Sequence, residues 1–195
     1  LKAMEIEKDP ILLILSSDHI IGDQDKFTKV INEGIKYAEK GRLVTFGVIP
    51  YSPDIGYGYI RSETSLDGST IRGSNIESFI EKPDLETATE FIKDKRYSWN
   101  SGMFVFKAKS IIQEIKQYSP DVLNSCKNSL SQKLLDLDFE RLDQNEFKNC
   151  PNISIDIAVM EKTNLGTVLP LDAKWTDIGS WDAVWKISNK NENNN

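Results

Sequence analysis

The chain has 195 residues, 39% of them hydrophobic and 28% charged, with a formal net charge of −6. That is apolar material for one substantial core in one domain with a small insertion, and the acidic balance excludes a general nucleic-acid binder, which needs clustered Lys and Arg. Cys126 and Cys150 lie outside any Cys-x-x-Cys spacing, so two free thiols are expected rather than a disulfide framework or a zinc site. No apolar run approaches the roughly 18–20 residues of a membrane span and no secretory layout opens the chain, which sets the expectation of a cytoplasmic protein without a membrane partner.

Residues 1–8 read as a helix, already under way at Leu1, so the start looks cut into. Residues 11–15, Ile-Leu-Leu-Ile-Leu, form an apolar run suited to a buried strand. Gly22-Asp23 open a helix over 24–40, with Phe27, Val30, Ile31, Ile35 and Ala38 in one stripe and Gly41 closing it. The strand at 42–49 completes a strand–helix–strand unit typical of a parallel sheet. Turn-rich sequence follows, ending in Gly56-Tyr57-Gly58-Tyr59-Ile60 and a short strand. A loop or hairpin tip at 64–74, a strand at 76–80, a helix at 85–93, a strand at 101–106 and a helix at 109–118 come next. Residues 120–147 read as a helical excursion, 153–162 as a short helix, 166–171 as a strand and 180–187 as a closing helix. Residues 191–195 carry no folded element.

Two aspartates stand out. Asp18 follows the first apolar run and Asp177 lies in Trp-Thr-Asp-Ile-Gly-Ser-Trp, each with small residues nearby that let a ligand approach. Mg²⁺ takes one or two carboxylates together with water and phosphate oxygens, a requirement that two such residues meet. A turn or a helix N-cap explains either one equally well. Glu81-Lys82-Pro83 ends a strand and offers a hydroxyl acceptor beside a cation for phosphate, although an ordinary salt-bridged strand end has the same residues. Asn100, before Ser101-Gly102, carries the paired donor and acceptor that read adjacent hydroxyls; a plain turn is the alternative. Gly58 permits close backbone approach, Asp156 reads as the cap of its helix, and Lys162 either reaches phosphate or sits in solvent. His19 is the only histidine. That excludes a His pair or His-based metal centre and leaves it to hold the loop after Asp18.

Six segments, in order, resemble the bacterial mannose-1-phosphate guanylyltransferases. They are Ser-Ser-Asp-His-Ile-Ile at 16–21, Gly-Tyr-Gly-Tyr-Ile at 56–60, Ile-Glu-Ser-Phe-Ile-Glu-Lys-Pro at 76–83, Trp-Asn-Ser-Gly-Met-Phe at 99–104, Ser-Ile-Asp-Ile-Ala-Val-Met-Glu-Lys at 154–162 and Trp-Thr-Asp-Ile-Gly-Ser-Trp at 175–181. The resemblance implies an α/β, Rossmann-like nucleotidyltransferase fold with a mixed, mainly parallel sheet, N-terminally truncated. It would span 1–188, with a disordered tail or linker start at 189–195. It implies transfer of a guanylyl group from GTP to mannose 1-phosphate, giving GDP-mannose and pyrophosphate. Asp18 and Asp177 would be Mg²⁺ ligands, and Asp18, Lys82 and Asp177 the catalytic set. Gly58, Glu81, Lys82, Asn100, Asp156 and Lys162 would contact substrate. The family's glycine-rich triphosphate loop, Gly-Gly-x-Gly-x-Arg-Leu-x-Pro-Leu-Ser followed by Pro-Lys, does not occur in residues 1–195. The expectation is therefore activity only with that segment, and a homo-oligomer or a complementing N-terminal chain as partner. A catalytically silent subunit that binds sugar phosphate, and an enzyme for another sugar 1-phosphate, are the alternatives.

Overall fold

The computed structural model describes residues 1–68, 70–179, 181, 184, 185 and 188. After a 3₁₀ turn at Lys2–Glu5, the chain forms β1 (Ile11–Ile14), β2 (Ile20–Ile21), α1 (Gln24–Glu39), β3 (Leu43–Val48), β4 (Tyr59–Ser62) and β5 (Ser74–Ile80). There follow α2 (Leu85–Phe91), β6 (Tyr97–Lys107), α3 (Ala108–Tyr118), α4 (Pro120–Ser131), β7 (Leu134–Asp136), β8 (Phe139–Arg141) and α5 (Gln144–Lys148). A π-helical turn at Asp156–Met160, β9 (Gly166–Pro170) and β10 (Trp175–Thr176) complete the described elements.

The main sheet runs β1-β6-β3-β9-β5-β4, and β4 meets β6 a second time, so five of the strands close on one another. Every residue from Leu43 to Phe46 is buried, and their side chains alternate between two cores. Leu43 joins Phe79, Phe104, Phe106, Ile111 and Val159 on the face covered by α3 and the π-helical turn. Val44 and Phe46 join Val30, Ile31, Ala38 and Met103 on the face covered by α1. Burying a side chain such as Phe46 contributes roughly 1.5–3 kcal/mol. Asp23 starts α1 by accepting the Lys26 N–H at 3.0 Å, which leaves Asp18 with no capping role for this helix.

Several sequence expectations need correction. The sheet is mixed, but among the described strands only β3 and β9 pair in parallel. The strand–helix–strand unit does form; the long β6 wedges antiparallel between β1 and β3, pairing with both. β1 is an edge strand, with Leu13, Ile14 and Leu15 exposed rather than buried. The helix expected over 1–8 shrinks to one 3₁₀ turn, which has no side-chain cap and buries none of its residues. Residues 120–147 include the exposed β7–β8 hairpin between α4 and α5. The closing helix expected over 180–187 and the tail at 189–195 fall largely or wholly outside the described residues. Cys126 and Cys150 are free and adjacent: burial, and then the neighbouring Cys150 thiol, push the Cys126 pKa up. No helix among the described residues is long and apolar enough to cross a membrane.

Candidate active site

β6 shapes the site through a register jump against β3: Thr45 stands opposite Phe104, but Gly47 stands opposite Asn100. The extra residues bulge out, with Gly102 in a left-handed conformation (φ +69°) that glycine adopts without steric cost. Asn100 stays paired with Gly47, and its side chain is bonded at both the amide nitrogen and the oxygen. Its Nδ2 donates to Asp156 Oδ1 (3.1 Å), and its Oδ1 accepts from Thr45 Oγ1 (3.2 Å) and the Gly102 N–H (3.1 Å). Its backbone N–H donates to Gly58 O at 2.8 Å.

Antiparallel pairing of β4 with β5 sets Tyr59 opposite Ile80, which brings Gly58, just before one strand, to Glu81, just after the other. A Cβ on Gly58 would lie 2.6 Å from Glu81 Oε2, so the carboxylate occupies space that only glycine leaves open. Asp156 is the first residue of the π-helical turn and makes no side-chain cap there; Ile155 holds the cap position, and Asp156 faces Asn100 instead. β2 and β10 pair with Ile20 opposite Thr176, and one step further along stand His19 and Asp177.

These segments line an open depression of about 240 Å³, bordered by Gly58, Glu81, Asn100, Asp156 and Asp177 with Ser16, His19, Gly56, Tyr57, Ser101, Gly102 and Trp175. Asp18 stands at its edge, its side chain 81% exposed and 4.0 Å from His19 Nε2. Lys82 lies alongside, its Nζ 3.9 Å from Glu81 Oε1, its side chain directed mainly to solvent. Lys162 follows the turn, exposed, with its N–H bonded back to Val159 O, and does not line the cavity. Lys82, Lys174 and Ile178 take positive φ values of 46°, 50° and 52°, each beside a lining residue. Such backbone is costly for a β-branched residue and concentrates at functional sites.

Two carboxyl groups here sit above their ordinary pKa range. Burial raises Glu81, and the charges of Asp156 and Glu161 add to this while Lys82 opposes it. Burial also raises Asp156, against the hydrogen bonds from the turn backbone, Asn100 and Ser154. The folded protein therefore holds protons that the unfolded chain releases. The stability these groups contribute is full below the ordinary carboxylate range and is lost as pH rises through their raised values. Glu81→Gln, which removes one such charge, should raise the urea midpoint at about pH 7 and leave it nearly unchanged at about pH 4. Equal shifts at both pH values would contradict the assignment.

The donor set suits a hard cation. Asp177 Oδ1 accepts from Tyr57 Oη (2.8 Å) and the Gly179 N–H (3.1 Å), which leaves Oδ2 for a ligand, and Asp18 flanks His19 across the β2–β10 pair. No cluster of three or more His, Cys, Asp or Glu residues able to hold a metal occurs among the described residues. Two carboxylates completed by water and phosphate oxygens is the shell that Mg²⁺ accepts.

Tyr57 and Trp175 are the lining residues that sequence reasoning passed over as contacts. Tyr57 packs against Trp99 (5.0 Å between ring centroids) and Trp175 (5.6 Å), and burial followed by the Asp177 carboxylate pushes its phenol pKa up. Its signal was a tyrosine between two glycines, a spacing that frees the backbone around one large amphipathic side chain.

Comparison with known proteins sets this geometry among relatives. The family model described as nucleotidyl transferase matches residues 1–194. The mannose-1-phosphate guanylyltransferase of Salmonella montevideo is 46% identical over 193 residues, which cover 97% of this chain and 41% of that protein. The chain thus spans about two fifths of the length of the curated relatives it matches. Among solved structures, mannose-6-phosphate isomerase from Helicobacter pylori superposes with a TM-score of 0.78 at 34% identity, covering 90% of this chain and 67% of that one. Mannose-1-phosphate geranyltransferase from Thermus thermophilus has a TM-score of 0.78 at 29% identity, covering 94% and 51%.

Proposed function

The chain belongs to the nucleotidyl transferase family, and on that premise we propose that it forms the sugar-phosphate half of a site that transfers a guanylyl group from GTP to mannose 1-phosphate. The observation that carries this reading is the convergence of Gly58, Glu81, Asn100, Asp156 and Asp177 on one small polar cavity. Similarity to a relative named for this reaction supports the choice of sugar and base.

In the proposed reaction a phosphate oxygen of mannose 1-phosphate bonds to the α-phosphorus of GTP, while the bond to the β-phosphate bridging oxygen breaks and pyrophosphate leaves with that electron pair. The attacking oxygen is already anionic, so the site needs no general base; its task is alignment and charge compensation. Asn100, held by Thr45 and Gly102, and Glu81, admitted by Gly58, would read the sugar hydroxyls. Lys82 would pair with phosphate as a point charge. Asp18 and Asp177 would hold Mg²⁺, which when bound supplies charge neutralisation at the phosphates. The exposed Lys162 would serve only through its long side chain. Free thiols fit a reducing cytoplasm as the setting.

Residues 1–195 contain no glycine-rich triphosphate loop, so turnover is expected when a segment carrying one is supplied and not without it. The assay provides GTP, mannose 1-phosphate and Mg²⁺ and follows GDP-mannose and pyrophosphate, with mannose 6-phosphate isomerisation as a control arm. Calorimetry measures mannose 1-phosphate binding by the polypeptide alone. Absence of both GDP-mannose synthesis and mannose 1-phosphate binding would overturn the reading.

A further inference from the structure

A chain of aromatic contacts runs from Asp177 to His19, the residue that follows Asp18. Tyr57 Oη donates to Asp177 Oδ1 at 2.8 Å. The Tyr57 ring leans on Trp175, and the Trp175 Nε1–H donates to His19 Nδ1 at 3.2 Å while the two rings meet edge to face at 5.3 Å. The indole N–H donates to Nδ1, and Nε2 lies on the Asp18 side of the ring, 4.0 Å from Asp18 Oδ1 and beyond hydrogen-bond reach. Trp99 closes the other side of the Tyr57 ring and is 1% exposed, which fixes the ring plane and the direction of the hydroxyl.

We infer that Tyr57 is a positioning residue that presents Asp177 to a divalent cation, and that Trp175 and His19 tie it to the segment that carries Asp18. The physical argument is one of rotamer choice. A free aspartate near solvent turns about χ2, presenting either oxygen. Here the phenol and the Gly179 N–H both bind Oδ1, so Oδ2 is the oxygen presented. Partners of this kind orient metal-binding carboxylates, and their loss costs about 10–100-fold in metal affinity. A purely structural Tyr57 would need only its ring, which already packs between two tryptophans.

The inference rests on reading Asp177 as a metal-binding residue, and its test separates the two. Mn²⁺ alone serves as the probe, with binding followed through its electron paramagnetic resonance signal and the urea midpoint measured for each variant. The parent should bind Mn²⁺ and Asp177→Asn should abolish binding. Tyr57→Phe, which keeps the ring and loses the donor, should bind about tenfold more weakly at an unchanged urea midpoint. Trp175→Phe, which keeps an aromatic ring but frees His19, should weaken binding in the same direction, so the bridge is tested from its second end even if one variant folds poorly. Mn²⁺ affinity within twofold of the parent in both aromatic variants, with Asp177→Asn still abolishing binding, would overturn the positioning role and leave the metal reading intact. No binding by the parent, or unchanged binding in Asp177→Asn, would overturn the metal reading and the inference with it.

Discussion

Replacing Trp99 by alanine should destabilise the protein by about 3–5 kcal/mol, the range for emptying a buried aromatic site. Trp99 is 1% exposed at the point where β6 pairs on both edges, opposite Val48 of β3 and Tyr59 of β4. Its ring meets Tyr51 edge to face at 4.8 Å and Tyr57 at 5.0 Å. The indole Nε1 is buried without a hydrogen-bond partner among the described residues, so packing is what this residue contributes. Phenylalanine at this position discards the unpaired N–H and keeps most of the contact; Trp99→Phe should therefore cost less than half as much as Trp99→Ala. Urea denaturation of both variants checks the ratio. Equal losses would mean that the indole nitrogen is bonded in solution. Because Trp99 backs Tyr57, the alanine variant should also bind Mn²⁺ more weakly.

The second large effect belongs to Asn100. Its side chain links three elements: Thr45 on β3, the bulge of β6 and Asp156 on the π-helical turn. Asn100→Ala should weaken mannose 1-phosphate binding about 10–100-fold, equivalent to about 1.4–2.8 kcal/mol. It should also cost about 1 kcal/mol of stability, because the half-buried Asp156 carboxylate loses a donor. With that donor gone, the Asp156 pKa rises further, so the stability loss should be larger near neutral pH than near pH ~4. Calorimetry and urea midpoints at the two pH values measure both parts. Unchanged binding together with the predicted stability loss would reduce Asn100 to a structural role.

The parts of the fold that were readable share a physical origin. α1 was legible because Asp23, the apolar stripe and Gly41 are local signals spaced within one helix, and β3 because its short run is mostly apolar, with Thr45 its one polar side chain. β9 was legible for the same reason. The 120–147 region misled because the apolar residues of its hairpin are not buried: Leu134, Leu135, Leu137 and Phe139 lie exposed there, unlike Leu123 on α4, and periodicity reports structure only when one face is selected for burial. The sheet's pairing misled in another way. A strand–helix–strand pattern fixes the relative direction of β1 and β3 but not their adjacency, and β6, distant in sequence, takes the place between them.

The site divides along the same line. Residue chemistry was readable where a motif placed a polar side chain next to a strand end, as with Glu81 and Asp177, or beside a glycine, as with Asn100, and the order of those motifs pointed to the family. The sequence by itself determined which chemical groups are available: carboxylates, an amide, lysines and glycines that admit close approach. The tertiary structure decided which of them meet. It drew Lys162 away from the cavity wall, left Asp18 at the rim, and brought Tyr57, Trp175 and His19 together as the link between Asp177 and the segment that carries Asp18. That link depends on the short β2–β10 pair and on Trp99 of β6, which backs the Tyr57 ring. Both are contacts between segments far apart in the chain, and a sequence pattern constrains only neighbours along the backbone.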